Sequence, residues 1–327
     1  MHLVIPYASA LSDAAVQALG TLSLPNLDRL LARWAVVDGN LDPSSSGGVD
    51  GVGVGVADDF DEYALSLPHE RLLARLRGWP VQDGLLPFAA EAARADGFAP
   101  VTGAGWGLLT PAHWHVGHDQ VNLVDPALLE LDEPEARTLH ATLAPLFEDL
   151  GWTWHWAGPT RWYVSHPSLT ELPTASLDRV IGRNVDLWLN DHPGVMLVRR
   201  LQSEVQMLLY VHPLNDVREA RGAMSVNSFW LSGTGPAQPA ERALPADVMV
   251  DDRLRAPLLA DDWSAWAEAW HALDAGPLRA LADATGAVRL TLSGERQART
   301  WQPAQRPWWK TLLGGRGATT HALLEAL

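Results

Sequence analysis

Short apolar runs alternate along this chain with segments whose apolar residues recur every three or four positions, and that alternation marks out strands and helices. "HLVIPYA", His2 to Ala8, is an apolar run closed by a loop, the pattern of a first strand. Ser12 stands where a helix cap belongs and predicts a helix to about Leu19. In "LPNLDRLLARW", Leu27, Leu30, Leu31 and Trp34 keep helical spacing, with Asn26 suited to the N-cap and Asp28 to the first turn. "SLPHERLLARL" and "LLPFAAEAARADG" predict two further helices, the second stopped by Gly97. "VTGAGWGLL" reads as a glycine-rich strand, and "DEPEARTLHATLAPLFEDLG" as a helix with an acidic first turn.

In the second half, "WTWHWAGPTRWYVSH" sets Trp152, Trp154 and Trp156 on one face, turns at Gly158-Pro159 and returns, which predicts a hairpin. A long helix follows in "VMLVRRLQSEVQMLLYVH", then a strand in "AMSVNSFWLSG". "DDWSAWAEAWHALD" places Trp263, Trp266 and Trp270 on one helical stripe, and "AVRLTLSGERQARTW" predicts a strand pair. Strands alternating with helices argue an α/β sheet with helices on both faces. From Asp38 to Asp61 the pattern dissolves into an acidic Gly-Val stretch, which reads as a loop; with no strand leading in and no Lys following, it is not a phosphate loop.

Composition narrows the functions. A formal net charge of −15 over 327 residues, with no long Lys/Arg run, disfavours nucleic acid and anionic membranes as partners. The absence of cysteine removes disulfides, thiolate metal sites and cysteine nucleophiles. The N-terminal apolar run is too short for a signal peptide and no apolar stretch reaches the length of a span, so the expectation is a soluble, cytoplasmic protein. Sixteen tryptophans could be exposed platforms, but their strand and helix spacing favours core packing.

The chemistry-bearing stretch is "PAHWHVGHDQVNL", with His113, His115, His118 and Asp119 in seven residues. Imidazoles and a carboxylate at this spacing suit zinc or manganese if the chain turns at Gly117. Alternatively, Trp114 packs inward and the histidines bond loop carbonyls. No other cofactor is indicated.

Two segments resemble the archaeal-type, cofactor-independent phosphoglycerate mutases of the alkaline phosphatase superfamily. "LPNLDRLL" is similar to a helix start that follows the first strand there. "EVQMLLYVHPLNDVREARGAMSVNSFWLSGTG" resembles a pattern built on His212, Pro213, Asn215, Arg218, Gly222, Asn227, Gly233 and Gly235. "SLPHERLLARLRGW", "TPAHWHVGHDQVNL" and "VDLWLNDHPGVMLVRRLQ" look like blocks of a smaller bacterial group, the RpfE-type regulatory proteins. The resemblance implies a trimmed alkaline-phosphatase-like α/β core, a mixed sheet flanked by helices, from residues 1–124 and 225–327. An α+β subdomain would be inserted at 125–224.

The same resemblance implies two divalent metals and a nucleophilic Ser. Where the first ligating Asp is expected, closing strand one, this chain has Pro6 and Tyr7. After Gly235 its histidines are His271 and His321, and its Asp191-His192 pair precedes the matched block instead of following it. Ser44, Ser45 and Ser46 fall where a nucleophile is expected, without a recognisable motif. Three functions stay open. The first is a degenerate mutase relative that regulates or binds a phosphorylated or carboxylated metabolite through His115, His118, Asp119, Asn215, Arg218 and Asn227, joined by His69 and Arg71. The second is a metal-dependent phosphotransferase, mutase or hydrolase using a rearranged site at His113–Asp119. The third is a module whose exposed aromatics contact a protein partner.

Overall fold

The computed structural model describes residues 1–37, 63–99, 101, 103–240, 242–304 and 319–327. The Gly-Val stretch and Ser44, Ser45 and Ser46 lie outside the described residues. The chain divides into two compact units, the first from 1–62, 68–77 and 243–327, the second from 63–67 and 78–242.

In chain order, β1 (His2–Ile5), α1 (Asp13–Thr21), α2 (Pro25–Arg33), β2 (Trp34–Val36) and α3 (Pro68–Leu76) open the first unit. The second unit holds α4 (Phe88–Ala95), β3 (Gly105–Ala112), β4 (Trp114–Val116), β5 (Val121–Leu123), α5 (Glu133–Glu148), β6 (Thr153–Gly158) and β7 (Arg161–His166). It continues through α6 (Leu177–Val180), α7 (Pro193–Tyr210), α8 (Pro213–Ala220) and β8 (Ser228–Pro236). The first unit resumes with β9 (Val248–Val250), α9 (Arg255–Leu259), α10 (Trp263–Leu273), α11 (Arg279–Asp283), β10 (Arg289–Ser293), β11 (Ala298–Pro303) and α12 (Thr320–Glu325).

The first unit is a mixed α/β sheet in the order β2-β11-β10-β1-β9, flanked by helices. β1 runs parallel to both neighbours, pairing Ile5 with Leu292 on one side and Val4 with Val250 on the other. Leu3, Val4 and Ile5 are fully buried, which is why this strand reads as an unbroken apolar run instead of an alternation. Trp266 and Trp270 of α10 are also fully buried, and the indole N–H of Trp266 donates to the Tyr7 carbonyl at 3.1 Å.

α2 forms as its spacing predicts, but Asn26 is not its cap. The cap position is Leu24, without a side-chain bond, and the free N–H groups turn to Asp274, about 250 positions away. One carboxylate oxygen of Asp274 accepts from the Leu27 N–H at 2.8 Å; the other accepts from the Asn26 N–H and from its side-chain amide. Asp274 itself opens a single π-helical turn, Asp274–Leu278, and is buried.

The second unit is built on an antiparallel sheet, β6-β7-β3-β8. Alternate residues of β7 feed opposite faces: Trp162 and Val164 pack with residues of α5 and α7, while Tyr163 packs with Ala89, Ala90 and Ala93 of α4. The tryptophan hairpin forms as predicted, with Trp152 buried and Trp154 and Trp156 packed against the larger core. Because β3 pairs with both β7 and β8, the expected boundaries at 125 and 224 fall inside this unit. Two glycines make the packing possible. A Cβ on Gly105 would sit 2.3 Å from the Leu169 carbonyl carbon, and Gly233, at φ +64°, passes the backbone of Ala89 closely.

Candidate functional site

β4 and β5 form a small hairpin, pairing Trp114 with Leu123, His115 with Asn122 and Val116 with Val121. The turn at Gly117 does occur, closed by the Gly117 N–H on the Gln120 carbonyl at 2.9 Å. It carries His118 and Asp119 to an exposed tip, beside Val116, which is 75% exposed. His113 is tied down, its Nδ1 2.8 Å from the Ser225 carbonyl. Among the described residues no three His, Cys, Asp or Glu side chains stand together as a metal-holding group. His113, His115, His118 and Asp119 therefore do not form the four-residue cluster expected from their spacing: two lie along the strand and two at its far turn. Trp114 is only half-buried. Its backbone is gripped by Asn227, whose Oδ1 accepts from the Trp114 N–H at 2.7 Å while Nδ2 donates to the Trp114 carbonyl at 3.0 Å. Asn227 thus takes the place of a paired strand, and both ends of its amide are used.

The strongest matched block of the sequence serves the fold. His212 caps α8, accepting the Leu214 N–H, and its Nε2 meets the Thr142 hydroxyl at 3.1 Å. Asn215 is buried and donates to the Leu209 and Val226 carbonyls while accepting the Val226 N–H. Arg218 is fully buried. Its Nε donates to the Met224 carbonyl, one terminal nitrogen pairs with Glu135 at 2.5 Å, and the other donates to the Leu129 carbonyl. Arg221 pairs with the second oxygen of Glu135 at 2.8 Å. The expectation that Arg218, Asn215 and Asn227 line an anion pocket is corrected accordingly. Their donors are engaged with the backbone and with Glu135. Spacing alone could not reveal this, because the partner Glu135 lies 83 positions away.

His69 and Arg71 belong to the first unit, both buried on α3. The ring of His69 lies 5.0 Å from that of Tyr7, centroid to centroid. Tyr7 follows β1 with φ at +60°, a left-handed backbone that a bulky residue adopts only under constraint. The resemblance asks for a metal-ligating carboxylate at this point. Pro6 offers no donor, and a phenol carries no negative charge near neutral pH. Among the described residues, the donor set of a dinuclear metal site is not present.

Two further features of the second unit bear on chemistry. His140 of α5 packs against Trp154, Trp156 and Trp162, with centroids 4.8 to 5.4 Å away, and desolvation lowers its pKa to about 4. A small cavity of about 20 Å³ is lined by Leu172, Pro173, Val195, Val198, Gln202 and Trp230, which is room for a water molecule and not a metabolite. Among the described residues, Trp106, Trp162, Trp266 and Trp270 are among the largest fully buried side chains. No helix of the described residues is long and apolar enough to cross a membrane.

No protein-family model matches the chain, and no curated protein matches it. Among solved structures it is similar to the cofactor-independent phosphoglycerate mutase from Thermoplasma acidophilum DSM 1728, at 13% identity, covering 100% of this chain and 98% of that one, with a TM-score of 0.37. It is also similar to the PH0037 protein from Pyrococcus horikoshii, at 12% identity, covering 93% of this chain and 87% of that one, with a TM-score of 0.44. Both are remote structural likenesses at low identity.

Proposed function

We propose that this chain is a non-catalytic relative of the cofactor-independent phosphoglycerate mutases that binds a small phosphorylated or carboxylated metabolite without turning it over. The observation that carries the reading is the end of β1. The position at which the resembled family places its first metal ligand is filled by Pro6 and Tyr7, and Tyr7 is buried, left-handed and packed on His69. Non-glycine residues held at positive φ cluster at binding sites. Parallel strands of open α/β sheets gather ligands outside their carboxyl ends, and β1 is parallel to both its neighbours. His69 and Arg71 bring an imidazole and a guanidinium to α3, the pair that suits an anionic oxygen. A regulatory role is supported by the sequence blocks that resemble those of the RpfE-type proteins.

The test is isothermal titration with 3-phosphoglycerate and with inorganic phosphate, beside a mutase assay in the presence of manganese. Binding without turnover is expected, weakened in a folded His69→Ala variant. Turnover by the wild-type chain would overturn the non-catalytic reading. Equal binding by both proteins would take the metabolite away from this end of β1.

A protein-contact role has one observation behind it. Met196, Met207, Tyr210 and Val211 fall on one side of α7 and its end, and Tyr210 is 86% exposed. Its test is whether Tyr210→Ala loses a partner that the wild-type chain retains.

A further inference from the structure

The β4–β5 hairpin places a different set of donors together from the one its sequence advertises. The Val124 N–H donates to the His113 carbonyl at 3.0 Å, so the ladder extends one residue beyond the Trp114–Leu123 pair and sets His113 opposite Val124. His113 and His115, two residues apart on an extended chain, then share a face. Directly opposite residues of an antiparallel pair also share a face, so Asn122, the partner of His115, joins them.

Each of the three carries a mark of a ligand. A carbonyl only accepts, so the 2.8 Å contact between His113 Nδ1 and the Ser225 carbonyl puts the proton on Nδ1 and leaves the Nε2 lone pair open. That is the outer-sphere arrangement which orients metal-bound histidines. The His115 ring lies 6.4 Å from that of His113, tilted by 30°, and its side chain is exposed and able to adjust. Asn122 Oδ1 is buried and has no hydrogen-bond partner among the described residues. An orphaned buried acceptor is costly unless something binds it. The clasp of Asn227 on the Trp114 backbone holds the strand that presents the two imidazoles.

We propose that His113, His115 and Asn122 form a binding site for one borderline divalent cation of the zinc type. Two imidazole nitrogens are the donors that such a cation selects, while the neutral amide oxygen and water fill the remaining positions of its shell. His118 and Asp119 stay outside the site, at the tip of the turn. The third donor is an amide, which is why histidine and carboxylate spacing does not reveal it.

The experiment uses the untagged full-length protein, stripped with chelator and titrated with zinc by calorimetry, with circular dichroism to confirm that each variant is folded. One equivalent is expected to bind the wild-type chain. His115→Ala, which removes a direct ligand, is expected to weaken it by more than the roughly 10–100-fold that loss of a mere supporting group causes. Asn122→Asp, which adds a negative charge, is expected to tighten it, and His118→Ala to leave it unchanged. Absence of binding to the wild-type chain, or equal binding by His115→Ala, would overturn the site. A loss in His118→Ala as large as that in His115→Ala, or weaker binding by Asn122→Asp, would overturn this choice of donors.

Discussion

Arg218 shows how completely a single side chain can be absorbed by the fold. Every nitrogen of its guanidinium has a partner: the Met224 carbonyl, the Leu129 carbonyl and the Glu135 carboxylate. Arg218→Ala would leave Glu135 buried with only the half-exposed Arg221 to balance it. Removing one partner of a buried ion pair costs about 3–5 kcal/mol. An unfolding free energy in urea lowered by that amount is expected, and an unchanged value would show the clasp to be dispensable. His140 makes the opposite point, a titratable group kept without a charge. Burial lowers its pKa to about 4, and its Nε2 has no hydrogen-bond partner among the described residues. Its folded pKa lies below the unfolded value near 6.5, so between these pH values the unfolded chain holds more protons and stability falls as the medium is acidified. Replacing His140 by Gln is expected to flatten the dependence of the unfolding free energy on pH between about 6.5 and 4. His2, lowered to about 4 chiefly by desolvation, contributes in the same sense and leaves part of the slope in place.

Elements form from local pattern, but their ends and partners do not. α2 is the clearest case: its periodicity is plain in "LPNLDRLL", while its cap arrives from Asp274. Asp274→Ala is expected to lower stability by about 0.5–2 kcal/mol, the range for losing a helix cap, read from the thermal or urea transition. Asp274→Asn, which keeps an accepting oxygen, is expected to recover part of it. The strand β1, the tryptophan hairpin, α7 and the β10–β11 pair were all legible in the sequence because apolar spacing reports which residues face a core. Which strands share a sheet was not. β3 sits between β7 and β8, a choice among strands that look alike in sequence and are separated by long loops of chain. The β4–β5 hairpin was half legible: Gly117 signalled a turn, but only the register shows that Asn122, and not His118, stands across from His115. Candidate site residues failed in the same way. Arg218, Asn215 and Asn227 have the chemistry of anion binding, and what their nitrogens touch is decided by segments far away in the chain.

At the scale of the whole molecule, the first unit is assembled from both ends of the sequence and the second from its middle. The resemblance to the mutases concerns both, since "LPNLDRLL" lies in the first unit and the His212–Arg218 block in the second. The most recognisable residues of that block tie α8 to α5, to the end of α7 and to the segment that leads into β8. β1 itself has one more consequence. It is paired on both edges, by β10 and β9, and about 240 residues separate it from the nearer of these in sequence. At ordinary synthesis rates the ribosome needs roughly 12–50 s to deliver that partner. Throughout this interval an apolar strand waits with both edges open, while the segment from 78 to 242 emerges with all of its own sheet partners. The middle segment therefore carries its sheet partners with it as it is made, whereas β1 meets its first partner only once β9 has been synthesised.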